Sequence, residues 1–504
     1  MIGTAIKYLL VTLVIILVYE IIRALLISSL KVKFNRSVKD FIEKNRIRLD
    51  DYKFMHKVVV KHELLNDLEI HEAIIAHAKE KNLKIQEVEG QVEEYIDEIV
   101  PAFNLLSYYK IGYMVANFIL NLIYEVVIDR ENAEKLKRIP DNSVIVFVMN
   151  HRSNIDYILV AYMLARQISL SYAVGEWARV WPLEYIFKSF GAYFIRRKYR
   201  EGLYHLVLEK YVQLISLQGV TQGIFIEGSL SRDGNLRKAK IGILDYIIKV
   251  RTNPRFEKDL VFVPAAINYD WILEDSTLIQ EWKAGKEKSS FKDNLASLAR
   301  IIGKGPFLLV INLVRYLSGQ LKHHGYASVS FGDPVFLSDF LQTEEKDIFT
   351  LERYARLDRV QEFADQLMVR IGSAMPVTPV SLVSRALLSL KSERVHMNDL
   401  VLKVGRMRNE LKMAHGRIVL GKAFESSMEI YSRLKSEEES RKKELVSFEE
   451  DFLASEEARE TLSVALDLLK RRKIVSLKND EVVINMKRAA LLEFYSNSLS
   501  HLLH

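Results

Sequence analysis

Asn150-His151-Arg152-Ser153-Asn154-Ile155-Asp156-Tyr157 closes one apolar run, Ser143 to Met149 (SVIVFVM), and opens another, Ile155 to Ala165. The first run has the length of a buried strand and the second begins a helix, so the polar octet sits at a strand-to-helix turn. In that turn His151 and Asp156 stand five residues apart. A carboxylate on one imidazole nitrogen leaves the other as proton acceptor, and an ordinary histidine pKa of about 6.5 suits base work near neutrality. The natural substrate for such a base is a hydroxyl nucleophile. The octet also has a purely local reading, in which Ser153 and Asp156 form a capping-box variant and His151 is a satisfied turn histidine. The two are compatible, since a cap at Ser153 fixes the turn that aims His151 at Asp156.

Three further apolar runs end in polar, basic or glycine-containing turns. Ala192 to Ile195 runs into Arg196-Arg197, Gly223 to Ile226 into Glu227-Gly228-Ser229-Leu230-Ser231-Arg232-Asp233-Gly234, and Leu260 to Val263 into Pro264. Helical patterns lie between them, which favours parallel pairing and predicts an α/β domain with a mostly parallel central sheet flanked by helices. The ligand crevice of such a sheet lies at the carboxyl ends of its strands, where all four turns are expected to meet. There Arg196 and Arg197 read as phosphate ligands, because guanidinium is a planar fork that stays charged. As a bare Arg-Arg pair they would read as solvated charges. The Glu227 to Gly234 turn has the spacing of neither the P-loop nor the dinucleotide fingerprint, which argues against nucleotide hydrolysis and hydride transfer.

Taken together, these residues resemble the glycerol-3-phosphate and dihydroxyacetone-phosphate acyltransferase family, in particular its large bacterial membrane-bound type. Four blocks match in order: His151 to Tyr157; Gly191 to Arg197; Phe225 to Gly234 with Lys240 and Gly242; and Val263-Pro264 to Tyr269. The likeness extends through Pro101 to Leu106, Phe331 to Pro334 and Val377 to Leu382, and so spans roughly residues 90 to 390. Two positions depart from the family pattern: Asn154 stands where a second histidine is common, and Leu230 where arginine is usual. Leucine can neither pair with an anion nor donate a hydrogen bond. Arg232, Arg237, Lys238 and Lys240 are close enough in sequence to supply the missing charge.

The resemblance implies transfer of a fatty acyl group from a thioester to the sn-1 hydroxyl of glycerol 3-phosphate, giving lysophosphatidate. Dihydroxyacetone phosphate or a lysophospholipid is the alternative acceptor, and a non-catalytic lipid-binding relative the alternative class. It further implies His151 as base and Asp156 as its orienting acid, with Arg196, Arg197 and Arg232 on the acceptor phosphate. Glu227, Gly228, Ser231 and Lys240 would shape and line the acceptor loop, and Pro264 the pocket wall. No metal or resident cofactor is expected; acyl-CoA or acyl-carrier protein serves as co-substrate. The chain has no cysteine, which rules out a thiol acyl-enzyme, and no Gly-x-Ser-x-Gly elbow stands among these motifs.

The chain has 504 residues, a net charge of +7 and a pI near 9.0. That charge suits anionic partners: phospholipid headgroups, a phosphorylated acceptor and an acyl carrier. No nucleic-acid module is recognisable, and the mixed signs of Ser436 to Glu460 mark a solvated helix face. Tyr8 to Leu30 is apolar and long enough to cross a bilayer, although Glu20 and Arg23 interrupt it, so an interfacial helix stays open. Lys31, Lys33, Arg36, Lys39, Lys44, Arg46 and Arg48 follow it, against Lys7 before it, which predicts a cell-membrane protein whose bulk faces the cytoplasm.

The expected organisation is an anchor over 1–30, a charged helical region over 31–100 and apolar, membrane-associated helices over 101–140. The catalytic domain follows over 141–385, then a C-terminal helical region over 386–504 that could serve as scaffold or contact another lipid-synthesis enzyme. Within these, Phe103 to Ile128 reads as apolar helix and Phe340 to Gly372 as an amphipathic one. Asn479-Asp480 reads as the turn of a hairpin between Ile474 to Leu477 and Glu481 to Ile484.

Overall fold

The structure is a computed structural model describing residues 57–101, 113–129, 135–164, 171–175, 191–196, 201–285, 323–344, 347–414, 416–420, 423–424 and 458–503, with isolated positions between them. The apolar segment 8–30, its basic flank, Arg197 and the charged stretch 436–457 lie outside the described residues.

The strands are β1 (Glu125–Ile128), β2 (Ser143–Met149), β3 (Ser171–Gly175), β4 (Tyr193–Ile195), β5 (Gln222–Phe225), β6 (Asp259–Tyr269), β7 (Tyr326–Phe331) and β8 (Val335–Phe336). They form one sheet in the order β1-β7-β6-β2-β5-β3-β4, with β8 on β6. Pairing is parallel except where β6 meets β7 and β8. Helices α1 (Lys57–Leu65), α2 (Leu68–Lys81), α3 (Ile85–Ile99) and α4 (Tyr113–Ile123) precede or flank β1, and α5 (Asp156–Leu164) follows β2. Then come α6 (Gly202–Leu217), α7 (Gly242–Ile248), α8 (Asp275–Lys283), α9 (Leu337–Gln342), α10 (Arg353–Ser373), α11 (Pro379–Ser389), α12 (Met397–Met413) and α13 (Ala489–Ser496).

β2 explains the layering. All seven of its residues are buried, and they alternate between two cores, as strand geometry requires. Ile145, Phe147 and Met149 join Leu159 and Val160 of α5, Leu120 of α4 and Leu492 of α13. Val144, Val146 and Val148 join Val207 of α6, Leu244 of α7 and Phe363 of α10. Each such side chain contributes roughly 1.5–3 kcal/mol when fully buried, so a strand apolar on both faces is stable only between two helical layers.

Several expectations change. Pro264 does not terminate a strand; it lies inside β6, whose register with β2 runs from Ser143↔Asp259 to Met149↔Ala265. Proline is tolerated there because β8 pairs only Val261 and Phe262 and β7 begins at Ala265, so the ladder breaks at the position that lacks an N–H. Pro264 thus lies inside β6, which runs on past it, yet level with Val148 beside the carboxyl end of β2. The apolar stretch Phe103 to Ile128 is helix only over Tyr113–Ile123 among its described residues, and then becomes β1, whose Val126, Val127 and Ile128 pair with β7. Phe340 to Gly372 is two helices, α9 and α10. The hairpin is present, with Asn479 and Asp480 both left-handed (φ 46 and 61) between Val475–Lys478 and Glu481–Ile484. Among the described residues no helix is long and apolar enough to cross a membrane.

Candidate functional site

β2 and β5 end side by side, and the site grows from their tips. Ile226 N donates to Met149 O at 3.1 Å, and Ser231 N to His151 O at 3.0 Å, so the turn after each strand is tied to the other. His151 and Asp156 are both buried, with Nδ1 of the imidazole 2.9 Å from Asp156 Oδ2. The same oxygen accepts from Arg152 N at 2.7 Å and Ser153 N at 3.0 Å, and Oδ1 accepts from the Tyr269 hydroxyl at 2.6 Å. A carboxylate collecting that many donors acts as acceptor only, so Nδ1 carries the proton and Nε2 is the basic nitrogen of the ring. Burial and the neighbouring Asp156 push the Tyr269 phenol well above its ordinary pKa, which keeps it a donor. The ring plane is fixed by Phe225, stacked at 4.2 Å, and by Tyr157, edge-on at 5.4 Å.

The capping-box reading of the octet is half realised. Asp156 reaches back to Ser153 N as such a box requires, but the Ser153 hydroxyl accepts from Ile155 N at 3.3 Å in place of Asp156 N; it donates to Glu274 at 3.0 Å, and Asn154 N donates to the same carboxylate at 2.6 Å. Glu274, just before α8, therefore holds the turn from the far wall. Glu227 holds it from the near wall: its Oε2 accepts from His151 N at 3.2 Å and its Oε1 from Arg237 N at 3.1 Å. One carboxylate thus fixes the backbones of the histidine and of an arginine together.

Both carboxyls are buried, and burial pushes each up to about 7, with the hydrogen bonds they accept acting the other way. A carboxyl whose folded pKa lies above its ordinary 4.5 favours the folded state when protonated. That contribution is whole below about 4.5 and is lost as pH rises through about 7. The thermal midpoint is therefore expected to fall between pH 5 and pH 8, and Glu274→Gln to flatten part of the fall. An equally steep pH dependence in the variant would show that Glu274 is not a source of it.

The basic residues expected to converge here are placed unequally. Arg196, at the end of β4, is bidentate on the buried Glu98 of α3, with Nε–Oε1 at 2.7 Å. Arg232 pairs with Glu281 of α8 at 3.0 Å. Lys240 is exposed, and its stem lies against Gly228, whose left-handed φ of 67 makes the turn after β5. Ser231 is buried, its hydroxyl donating to Asn235 O at 2.7 Å and accepting from Gly234 N at 3.1 Å. Arg237 donates through one Nη to Ser229 Oγ at 2.8 Å and to Leu230 O at 3.1 Å, which lays its guanidinium along the turn beside His151. Arg152 is fully buried, its guanidinium 5.4 Å from the Phe494 ring centre and donating to Gly234 O. Burial lowers its pKa, opposed by the charges of Glu227 and Asp156.

Glu274, Tyr269 and Phe225 were not singled out as site residues in the sequence. Tyr269 and Phe225 close and open quoted blocks, whereas nothing in the spacing around Glu274 marks it. No group of three or more His, Cys, Asp or Glu suited to a metal occurs among the described residues.

Residues 128–268 match a family model described as Acyltransferase, and residues 310–423 one described as Glycerol-3-phosphate acyltransferase C-terminal region. A glycerol-3-phosphate acyltransferase of Haemophilus influenzae (strain PittEE) is 27% identical over 378 residues, covering 73% of this chain and 44% of that protein. One of Pasteurella multocida (strain Pm70) is 27% identical over 379 residues, with the same 73% and 44% coverage. The chain thus spans less than half the length of these relatives. A solved 1-acyl-sn-glycerophosphate (LPA) acyltransferase from Thermotoga maritima is 17% identical, covering 52% of this chain and 80% of its own, at a TM-score of 0.27 too low to bear on any residue.

Proposed function

From the matches to acyltransferase and glycerol-3-phosphate acyltransferase models, we propose that the chain belongs to the glycerol-3-phosphate acyltransferase family and that its site moves a fatty acyl group from a thioester to the sn-1 hydroxyl of glycerol 3-phosphate. The buried His151–Asp156 pair carries the reading. Nε2 of His151 takes the hydroxyl proton as the oxygen attacks the thioester carbonyl, and Asp156 balances the imidazolium that forms. Collapse of the tetrahedral intermediate leaves a C–O ester, breaks the C–S bond and returns the proton to the departing thiolate. No resident cofactor enters the scheme; acyl-CoA or an acyl-carrier protein is the co-substrate.

Arg237 is the cation best supported for the acceptor phosphate, because its backbone shares Glu227 with His151 and its side chain lines the turn at Leu230. Arg196 and Arg232, each on a carboxylate, are assigned to the rim, where an incoming phosphate would share or displace Glu98 or Glu281. The proposal includes an anchor over Tyr8 to Leu30 and a cytoplasmic catalytic face, supported by the apolar run and the lysines and arginines after it.

Purified chain given radiolabelled glycerol 3-phosphate and long-chain acyl-CoA is expected to form labelled lysophosphatidate. Arg237→Leu should raise KM for glycerol 3-phosphate by about 10- to 100-fold, the worth of a charge-assisted hydrogen bond, with little change for the donor. Adding Leu230→Arg should restore part of the loss. No labelled lipid with either CoA or carrier-protein donors would overturn the assignment, and an acylated product formed only when labelled dihydroxyacetone phosphate or a labelled lysophospholipid replaces glycerol 3-phosphate would move the acceptor.

A further inference from the structure

Residues 489–503 lie outside both matched family regions and carry none of the sequence blocks, yet they touch the site at several points. The loop from Ser231 to Arg237 is irregular, so no ladder or helix sets its path and its shape depends on what it is pinned to. On one side Ser231 N is held by His151 O and Arg237 N by Glu227. On the other side α13 and the turn after it hold the loop. Asn497 Nδ2 donates to Asp233 O at 2.8 Å, and Ser500 Oγ to Asn235 Oδ1 at 2.9 Å. Gly234, with φ 91, lies so close that a Cβ there would be 1.9 Å from Phe494 O. Arg152 joins the two sides, its guanidinium on the Phe494 ring and on Gly234 O while its Nε and Nη2 have no hydrogen-bond partner among the described residues. The same helix reaches the opposite wall through Tyr495, whose hydroxyl accepts from Ile272 N at 3.1 Å, two residues before the Glu274 that holds Ser153.

We propose that Phe494, Asn497 and Ser500 are positioning residues of the acceptor site: the C-terminal helix presses the Ser231–Arg237 loop against His151 and so sets where the acceptor's anionic end is held. The inference rests on the acyl-transfer reading for its kinetic consequence, but the mechanical part stands without it.

In the full chain, Asn497→Ala with Ser500→Ala removes both side-chain bonds and leaves the α13 core residues in place. Amide hydrogen exchange at Ser231 and Arg237 is expected to quicken by about 10-fold, the order that two ordinary hydrogen bonds supply, while the buried face of α13 stays protected. KM for glycerol 3-phosphate should rise by a similar factor with the acyl-donor KM within about 2-fold. Glu493→Ala, on the solvent side of α13, should change neither quantity. Unchanged exchange at Ser231 and Arg237 would overturn the proposal, as would a loss spread equally over both substrates, which marks mere packing. If the double variant unfolds, Asn497→Ala alone is read by the same criteria. A wild type that transfers no label would defeat the acyl-transfer reading, while the exchange result would still decide whether α13 holds the loop.

Discussion

His151→Ala is expected to lower the proposed acyl transfer by about 10³- to 10⁴-fold while the protein stays folded. The size follows from the base: without Nε2 the hydroxyl must lose its proton to water, and substrate positioning alone sustains the residual rate. The fold should survive because the turn is held through the backbone of residue 151 as well as through its ring. His151 N donates to Glu227, and His151 O accepts from Ser231 N. Alanine keeps both. Near-normal turnover in this variant, measured as labelled lysophosphatidate, would remove His151 from the chemistry.

Gly234→Ala should be the most damaging single methyl in the acceptor loop. Its φ of 91 is strained for any residue with a Cβ, and the carbonyl oxygen of Phe494 occupies the space the methyl needs. The backbone oxygen cannot swing away as a flexible side chain would. Either the loop or α13 must move, and with it the Gly234 contacts to Ser231 Oγ and Arg152. We expect a destabilisation of about 3 kcal/mol or more, read from denaturant midpoints, with acceptor binding weakened in the same variant. A midpoint within experimental error of wild type would show that the loop and helix are not in close contact.

How much could be read from sequence depended on how local each cause was. β2 was legible to the residue because seven buried positions in a row leave a strand little alternative. The Asn479-Asp480 hairpin was legible because only a few residues accept two successive left-handed positions. β6 was misjudged at Pro264, since whether a proline ends a strand depends on the neighbouring strands, and here the break between β8 and β7 absorbs it. The strand at Glu125–Ile128 is hidden in an apolar run whose last four residues are claimed by β7, two hundred residues on. In the site, His151 and Asp156 were legible because five residues of turn bring them together. The commitment of Arg196 to Glu98, of Ser153 to Glu274 and of Gly234 to Phe494 is long-range, and no local spacing foretells it. The C-terminal helix, quiet as sequence, proves to be part of the wall.

A double-variant cycle puts the pairing of base and acid to the proof: transfer rates of wild type, His151→Ala, Asp156→Asn and the two combined, each with labelled glycerol 3-phosphate. If Asp156 acts through the imidazole, the combined variant should be no slower than His151→Ala alone, because groups working as a unit are lost together. Losses that multiply would contradict this, and would mean that Asp156 serves the reaction by a route that does not pass through His151.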